Sequence, residues 1–87
     1  MRKYFRLKCK IEGGMFPNDR CVAFKNADGK TVNGIFPESY IENNRLKVIV
    51  YKRKGNLALI GTSGGDSAGF GFINSSSRVW VNKQLLG

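Results

Sequence analysis

Two segments of the chain carry cationic and aromatic side chains that suit binding of a phosphate backbone. The first segment, residues 4–11, alternates, and its outward set is Tyr4, Arg6, Lys8 and Lys10. The second, residues 45–54, supplies Arg45, Lys47, Tyr51, Lys52, Arg53 and Lys54. Cations neutralise phosphates, and aromatic rings stack on bases without reading their sequence. These ten residues form the predicted nucleic-acid-binding site; a solvated face of a soluble domain is the alternative.

The charge balance favours an anionic partner. The 87 residues include 15 Lys and Arg against 6 Asp and Glu, for a formal net charge of +9. Such a charge opposes compaction through self-repulsion, so it usually has a use beyond solubility. Nucleic acid is the first candidate partner. The alternative is a protein-interaction module (an adaptor, inhibitor or accessory subunit) that docks on an acidic protein surface.

The residue types argue against an enzyme and against a bound metal or cofactor. The chain contains no His, which removes His-based acid–base catalysis, Ser–His triads and His metal ligands. Among the acids only Glu38 and Glu42 are close in sequence, and both are expected to be solvated. The glycine-rich stretch 61–69 lacks the Lys-Ser/Thr and the helix of a phosphate-binding loop, so a mobile loop is favoured, although its amides could touch a phosphate.

Cysteine usage and hydropathy predict a cytoplasmic protein. Cys9 and Cys21 could form one disulfide, but two small, buried apolar residues in a reducing compartment are the favoured interpretation. The segment after Lys3 alternates, unlike a secretory signal, and no apolar run is long enough to span a bilayer. No membrane partner is expected, and the oligomeric state stays open.

Short alternating runs bounded by turn residues predict one all-β domain over residues 1–87. The turn at 26–29 uses Gly29 for its positive φ, and a second turn spans residues 53–56. No segment longer than about six residues has helical period, so no long helix is expected. Strands are predicted at 4–11, 20–25, 30–36, 45–52, 57–60 and 78–81, with residues 70–73 as a short strand or a loop.

Two strand ends share a pattern that predicts one-turn helical corners. Residues 35–41 can be laid over residues 80–86, because both run from a strand through a polar turn to two apolar residues. The pattern suggests two hairpin-plus-corner halves, with chance similarity as the competing explanation. About five or six short antiparallel strands bent in this way would form a small barrel, which also removes exposed sheet edges.

The stretch Gly34–Glu42, Gly-Ile-Phe-Pro-Glu-Ser-Tyr-Ile-Glu, resembles the closing motif of SH3 domains, Gly-x-Phe/Ile-Pro-x-x-Tyr-Val. The resemblance implies an SH3-like barrel in which Pro37 and Tyr40 would help line a groove for proline-rich peptides. The acidic loop of that family has no counterpart here, and some 45 residues follow the motif. We therefore expect the fold without the peptide-binding function: Pro37 ends a strand and Tyr40 covers the core.

Overall fold

The computed structural model describes residues 4–13, 17–62, 71–73 and 77–87. Two one-turn 3-10 helices are present there, the first corner (Glu38–Tyr40) and the second corner (Lys83–Leu85). The predicted all-β class is confirmed, but the described residues form nine strands rather than five or six. The strands are β1 (Phe5–Lys8), β2 (Lys10–Gly13), β3 (Asp19–Lys25), β4 (Thr31–Pro37), β5 (Ile41–Glu42), β6 (Arg45–Lys54), β7 (Leu57–Gly61), β8 (Gly71–Ile73) and β9 (Arg78–Asn82).

The strands form two antiparallel sheets. In the first sheet the order is β1-β6-β7-β9, and β5 also pairs with β6. In the second sheet the order is β2-β3-β4-β8. Over the described parts of the chain neither sheet closes into a barrel, so the domain is a small all-β fold of two open sheets.

The predicted continuous strand 4–11 is two strands, because the chain passes from the first sheet to the second at Cys9. β1 pairs with β6, whereas β2 pairs with β3. The predicted alternation is nevertheless correct across the break: Leu7 is fully buried, and Phe5, Cys9 and Ile11 contact the core. Period two identifies the buried face of a strand, but it carries no information on which strand lies beside it.

Both predicted hairpin turns are confirmed. β3 and β4 are joined by a turn in which Gly29 has φ 79°, and β6 and β7 by a turn in which Gly55 has φ 56°. Such left-handed conformations favour glycine because it has no Cβ. In the first turn the side-chain Oδ1 of Asn26 accepts hydrogen bonds from the backbone N–H groups of Asp28 (2.9 Å) and Lys30 (3.0 Å).

The two corners have the same backbone construction, as the internal similarity predicted. Pro37 (φ −61°, ψ 150°) precedes the first corner and Ile41 (φ −104°, ψ 131°) follows it. Asn82 (φ −72°, ψ 136°) and Leu86 (φ −95°, ψ 140°) occupy the corresponding places at the second corner. Each corner is therefore a single helical turn between two extended residues.

Equivalent hydrogen bonds also hold the two corners. The backbone N–H of Glu38 donates to the carbonyl of Asn18 (2.7 Å), just before β3. The backbone N–H of Lys83 donates to the carbonyl of Asn56 (2.8 Å), just before β7. Each corner thus follows the second strand of an antiparallel pair, β3 with β4 and β7 with β9, and bonds back to the residue just before the first strand of that pair.

The two corners bring apolar residues to a common centre. Ile41 pairs with Leu46, and Leu86 forms an isolated bridge with Leu7. Leu7 and Leu46 pair with each other, and both are fully buried. The other buried members of the core are Val22, Phe24, Val32, Phe36, Val48, Ala58, Ile60, Phe72, Val79 and Val81.

Tyr40 packs against the core. Its ring stacks on Phe36, with centroids 5.7 Å apart and planes inclined by 22°. Phe36 also contacts Phe72 edge to face, at 5.4 Å. The lid role expected for Tyr40 is therefore confirmed by its contacts.

Candidate nucleic-acid interface

The two predicted basic segments lie side by side, because β1 pairs with β6. The register places Arg6 opposite Lys47. One step further along, Lys8 lies opposite Arg45. The residues between them, including Leu7, are buried, so these four cations project from the outer face of the sheet. Like charges directly opposite each other in a sheet are destabilising.

One carboxylate offsets part of this repulsion. Glu42 of β5 accepts hydrogen bonds from both Nε and the terminal guanidinium nitrogen of Arg6, the first at 2.9 Å. The hydrogen bond and the charge of Arg6 lower the pKa of Glu42 below its ordinary value. Among the described residues, no other acid forms an ion pair with these cations, so three positive charges on the face have no carboxylate partner.

A β-bulge in β6 determines which of its later residues point to the outer face of the first sheet. The register runs from Val50 opposite Ile60 directly to Lys52 opposite Leu59, so Tyr51 is an extra residue. Ile60 is in the core, and Leu59 alternates with it. The bulge therefore turns Lys52 outward.

Beyond the bulge the expected alternation is reversed. Arg53 lies opposite the fully buried Ala58, and its guanidinium carbon is 5.2 Å from the centroid of the Phe5 ring. Arg53 thus covers the edge of the core. Strict alternation had predicted that it would lie in the outer row, and that prediction was wrong. Lys54, opposite Leu57, returns to the outer face.

We define the basic face as the outer surface of β1 and β6 with the residue that precedes β1. Its cations number six, and two tyrosines accompany them. Tyr4 is 48% exposed and lines a cavity of about 210 Å³ together with Ser39, Tyr40 and Lys47. The complete set is Tyr4, Arg6, Lys8, Arg45, Lys47, Tyr51, Lys52 and Lys54.

Lys10 is separated from the basic face. It lies on β2 in the second sheet, opposite Ala23, and its ammonium group is 3.2 Å from the carboxylate of Glu12. The structure therefore brings together eight of the ten predicted residues and sets Lys10 and Arg53 apart from them.

Arg78 and Trp80 adjoin this surface, and neither was among the predicted site residues. The guanidinium carbon of Arg78 is 3.9 Å from the ring centroid of Tyr51. That ring also lies against Gly61, where a Cβ would come within 3.0 Å of Cε2. Arg78 and Trp80 lie on either side of buried Val79 in the sequence. This alternation was the signal in the sequence that both residues lie on the outer face of the sheet.

Trp80 lies beside a cavity that has a volume of about 420 Å³. Lys54, Leu57 and Arg78 line it with Trp80, and the turn at 26–28 forms the opposite wall. That turn is attached to β9, since the backbone N–H of Ala27 donates to the carbonyl of Trp80 at 2.8 Å. The cavity is thus built from the outer side of the first sheet and the tip of the β3–β4 hairpin.

Outside the basic face, the groups with possible chemistry are the acids, the two cysteines and the glycine-rich stretch. No cluster of three His, Cys, Asp or Glu side chains that could hold a metal occurs among the described residues. Cys9 and Cys21 are free, half-buried thiols, and burial raises the pKa of Cys9. Most of the glycine-rich stretch lies outside the described residues: only its first two positions, Gly61 and Thr62, belong to them.

Comparison with known proteins returns no relative. No family model, curated protein or solved structure matches the chain. In the part of the chain that the structure describes, no helix has the length and apolar character needed to cross a membrane.

Proposed function

We propose that the protein is a non-enzymatic module that binds nucleic acid through contacts between the basic face and the phosphate backbone. One observation carries the proposal: Arg6 lies opposite Lys47 and Lys8 opposite Arg45, and of the acids that the structure describes only Glu42 is bound among them. Each such pair of like charges costs a few tenths to about 1 kcal/mol in a sheet. A polyanion lying along the face would offset that cost.

The length of the face suits a backbone rather than a single phosphate. β6 spans ten residues, which at about 3.3 Å per residue is roughly 30 Å. Its outer row begins at Arg45 and ends at Lys54, so cations occur at both ends. A linear polyanion can contact such a row at several points, and each neutralised phosphate releases condensed counterions that favour binding.

Two finer features belong to the same proposal. The fold is related to the SH3-like type but consists, over the described residues, of two open sheets in place of a closed barrel; the corner that follows Pro37 and its repetition after Asn82 support this relation. The protein acts in the reducing environment of the cytoplasm, supported by the unpaired thiols of Cys9 and Cys21.

The test is binding of fluorescently labelled, mixed-sequence oligonucleotides, followed by anisotropy over a range of salt concentrations. We expect binding that weakens steeply with salt. The double variant Lys8→Gln/Lys47→Gln should bind more weakly and reduce the log–log salt slope by about 1.4–1.8, at 0.7–0.9 per lost phosphate contact.

The matched control is Lys10→Gln/Lys25→Gln, which removes the same charge from the second sheet. It should leave the slope nearly unchanged. Equal losses in the two double variants would show that net charge alone causes binding, and absence of binding at low salt would refute the proposal. If poly-glutamate bound and oligonucleotides did not, docking on an acidic protein surface would replace it.

A further inference from the structure

We infer that the nucleic acid is single-stranded and that one unpaired base occupies the cavity beside Trp80; this inference rests on the proposed function. The cavity is continuous with the basic face. Lys52, Leu59 and Trp80 lie opposite one another on β6, β7 and β9. At about 4.8 Å between neighbouring strands, Trp80 is only about 10 Å across the sheet from the cationic row.

The lining of the cavity matches the parts of a nucleotide. The half-buried Trp80 side chain and Leu57 provide an aromatic and apolar surface for a flat base. Lys54 and Arg78 provide positive charge for the flanking phosphates. The carboxylate of Asp28 disfavours a phosphate beside it, so the base is the part of the nucleotide that enters.

Tyr51 is not an equivalent stacking platform. Although Tyr51 is 37% exposed, its Cε2 atom lies beside Gly61 and the Arg78 guanidinium covers one face of the ring, 3.9 Å from its centroid. Its role is to position the Arg78 guanidinium at the cavity. Trp80 is the aromatic side chain of the cavity lining, so stacking there requires a base that has left its own stack.

This requirement separates single strands from duplexes. In a duplex each base is stacked and paired, and extruding one costs a few kcal/mol. A single strand offers its bases at much lower cost. The outer row of β6 can contact either form, but the cavity can be filled cheaply only by the single strand.

The other half of the fold supplies an internal comparison. When residues 35–41 are laid over residues 80–86, Trp80 corresponds to Ile35. Across the second sheet, Ile35 lies opposite Cys21, which lies opposite Glu12. Across the first sheet, Trp80 lies opposite Leu59, which lies opposite Lys52. The same backbone therefore accepts Ile at this place, and Trp80→Ile removes the aromatic platform at small risk to the fold.

Trp80 is the single tryptophan of the chain, so its intrinsic fluorescence reports directly on the cavity. The probes are a mixed-sequence DNA single strand, the same sequence as RNA, and the corresponding DNA duplex. Anisotropy of the labelled probe measures binding, and tryptophan emission measures stacking in the same titration. We expect both single strands to quench Trp80 and to bind more tightly than the duplex.

In the Trp80→Ile variant, single-strand affinity should fall about 5- to 150-fold, the equivalent of losing one stacked base. Duplex affinity should stay within about twofold, and Trp80→Phe should recover most of the loss. Equal affinity for single strand and duplex, or binding without a change in Trp80 emission, would overturn the inference and leave the proposed function standing. Failure of every probe to bind would instead refute the proposed function.

Discussion

Replacing Gly34 by alanine tests whether the core of the second sheet is as tightly filled as the structure shows. Gly34 is buried in β4, between Val22 on β3 and Phe72 on β8. A Cβ at Gly34 would come within 2.6 Å of Phe36 Cε2 and 3.2 Å of Phe72 Cδ1. It would also lie 3.1 Å from the carbonyl oxygen of Gly71. Carbon atoms in good contact are about 3.5–4.0 Å apart, so the Phe36 ring would have to move by about 1 Å.

The ring has no room for that movement. Phe36 is 1% exposed and is held between Phe72 at 5.4 Å and Tyr40 at 5.7 Å, measured between ring centroids. Overfilling such a core costs about 1–3 kcal/mol. Alanine loses less conformational entropy than glycine when a strand forms, and this difference offsets about 0.5–1 kcal/mol of the cost. The offset applies because the φ of Gly34 is not in the left-handed region. The net expectation is a destabilisation of about 1 kcal/mol, and of at most about 2.5 kcal/mol.

Urea denaturation followed by circular dichroism measures this change. The midpoint should fall while the m-value stays constant. Gly13→Ala is the matched control, because a Cβ there meets nothing within 4 Å and the substitution should be neutral or slightly stabilising. Combining Gly34→Ala with Phe36→Leu should give less than the sum of the two costs, because the shorter side chain frees the space. If Gly34→Ala were as stable as the parent protein, the ring could move and this packing argument would be wrong.

Two further substitutions probe the basic face. Arg6 lowers the pKa of Glu42, so their interaction is fully present above the unfolded-state pKa of Glu42 and is lost as pH falls through the lower folded-state pKa. Glu42→Gln should therefore flatten the loss of stability in acid, and it should also raise oligonucleotide affinity. Thermal melts at successive pH values measure the first effect, and an unchanged loss of stability in acid would contradict it. A Cβ at Gly61 would lie 3.0 Å from Tyr51 Cε2 and 3.0 Å from the backbone carbonyl oxygen of Ser77, so Gly61→Ala should cost about 1 kcal/mol in urea denaturation. The cost should shrink in a Tyr51→Ala background by the part that the ring causes, and an equal cost there would show that the Ser77 carbonyl is the obstacle.

Local patterns in the sequence were sufficient to predict most of the strands and both corners. The alternation around Leu7 identified the buried face, because a strand with one side in the core must repeat every two residues. The corner at Pro37 was also readable, since proline ends a ladder and the residues after it change to a polar turn. Such features depend on a few neighbouring residues, and so they are visible in a single chain.

The pairing of strands and the bulge at Tyr51 were not predictable in the same way. Nothing near Arg6 indicates that its neighbour across the sheet is Lys47, some 40 residues away; the repulsive arrangement became visible only with the register. A single extra residue reverses the alternation for Lys52 and Arg53, and β-branched or aromatic residues around it look the same with or without a bulge. A prediction of binding residues from strict alternation therefore assigns the wrong face to residues that follow a β-bulge.

The repeated architecture separates what the fold requires from what binding requires. Both halves contain the same corner, the same backbone bond that holds it and an apolar residue delivered to the Leu7–Leu46 centre. Their outer rows differ: Glu12 stands in the first half where Lys52 stands in the second. Since both halves fill the core in the same way, core packing does not explain why Lys52 stands where the other half has Glu12. The proposed function accounts for both features, because an anionic partner on the basic face would be attracted by Lys52 and would offset the repulsion within the pairs Arg6–Lys47 and Lys8–Arg45.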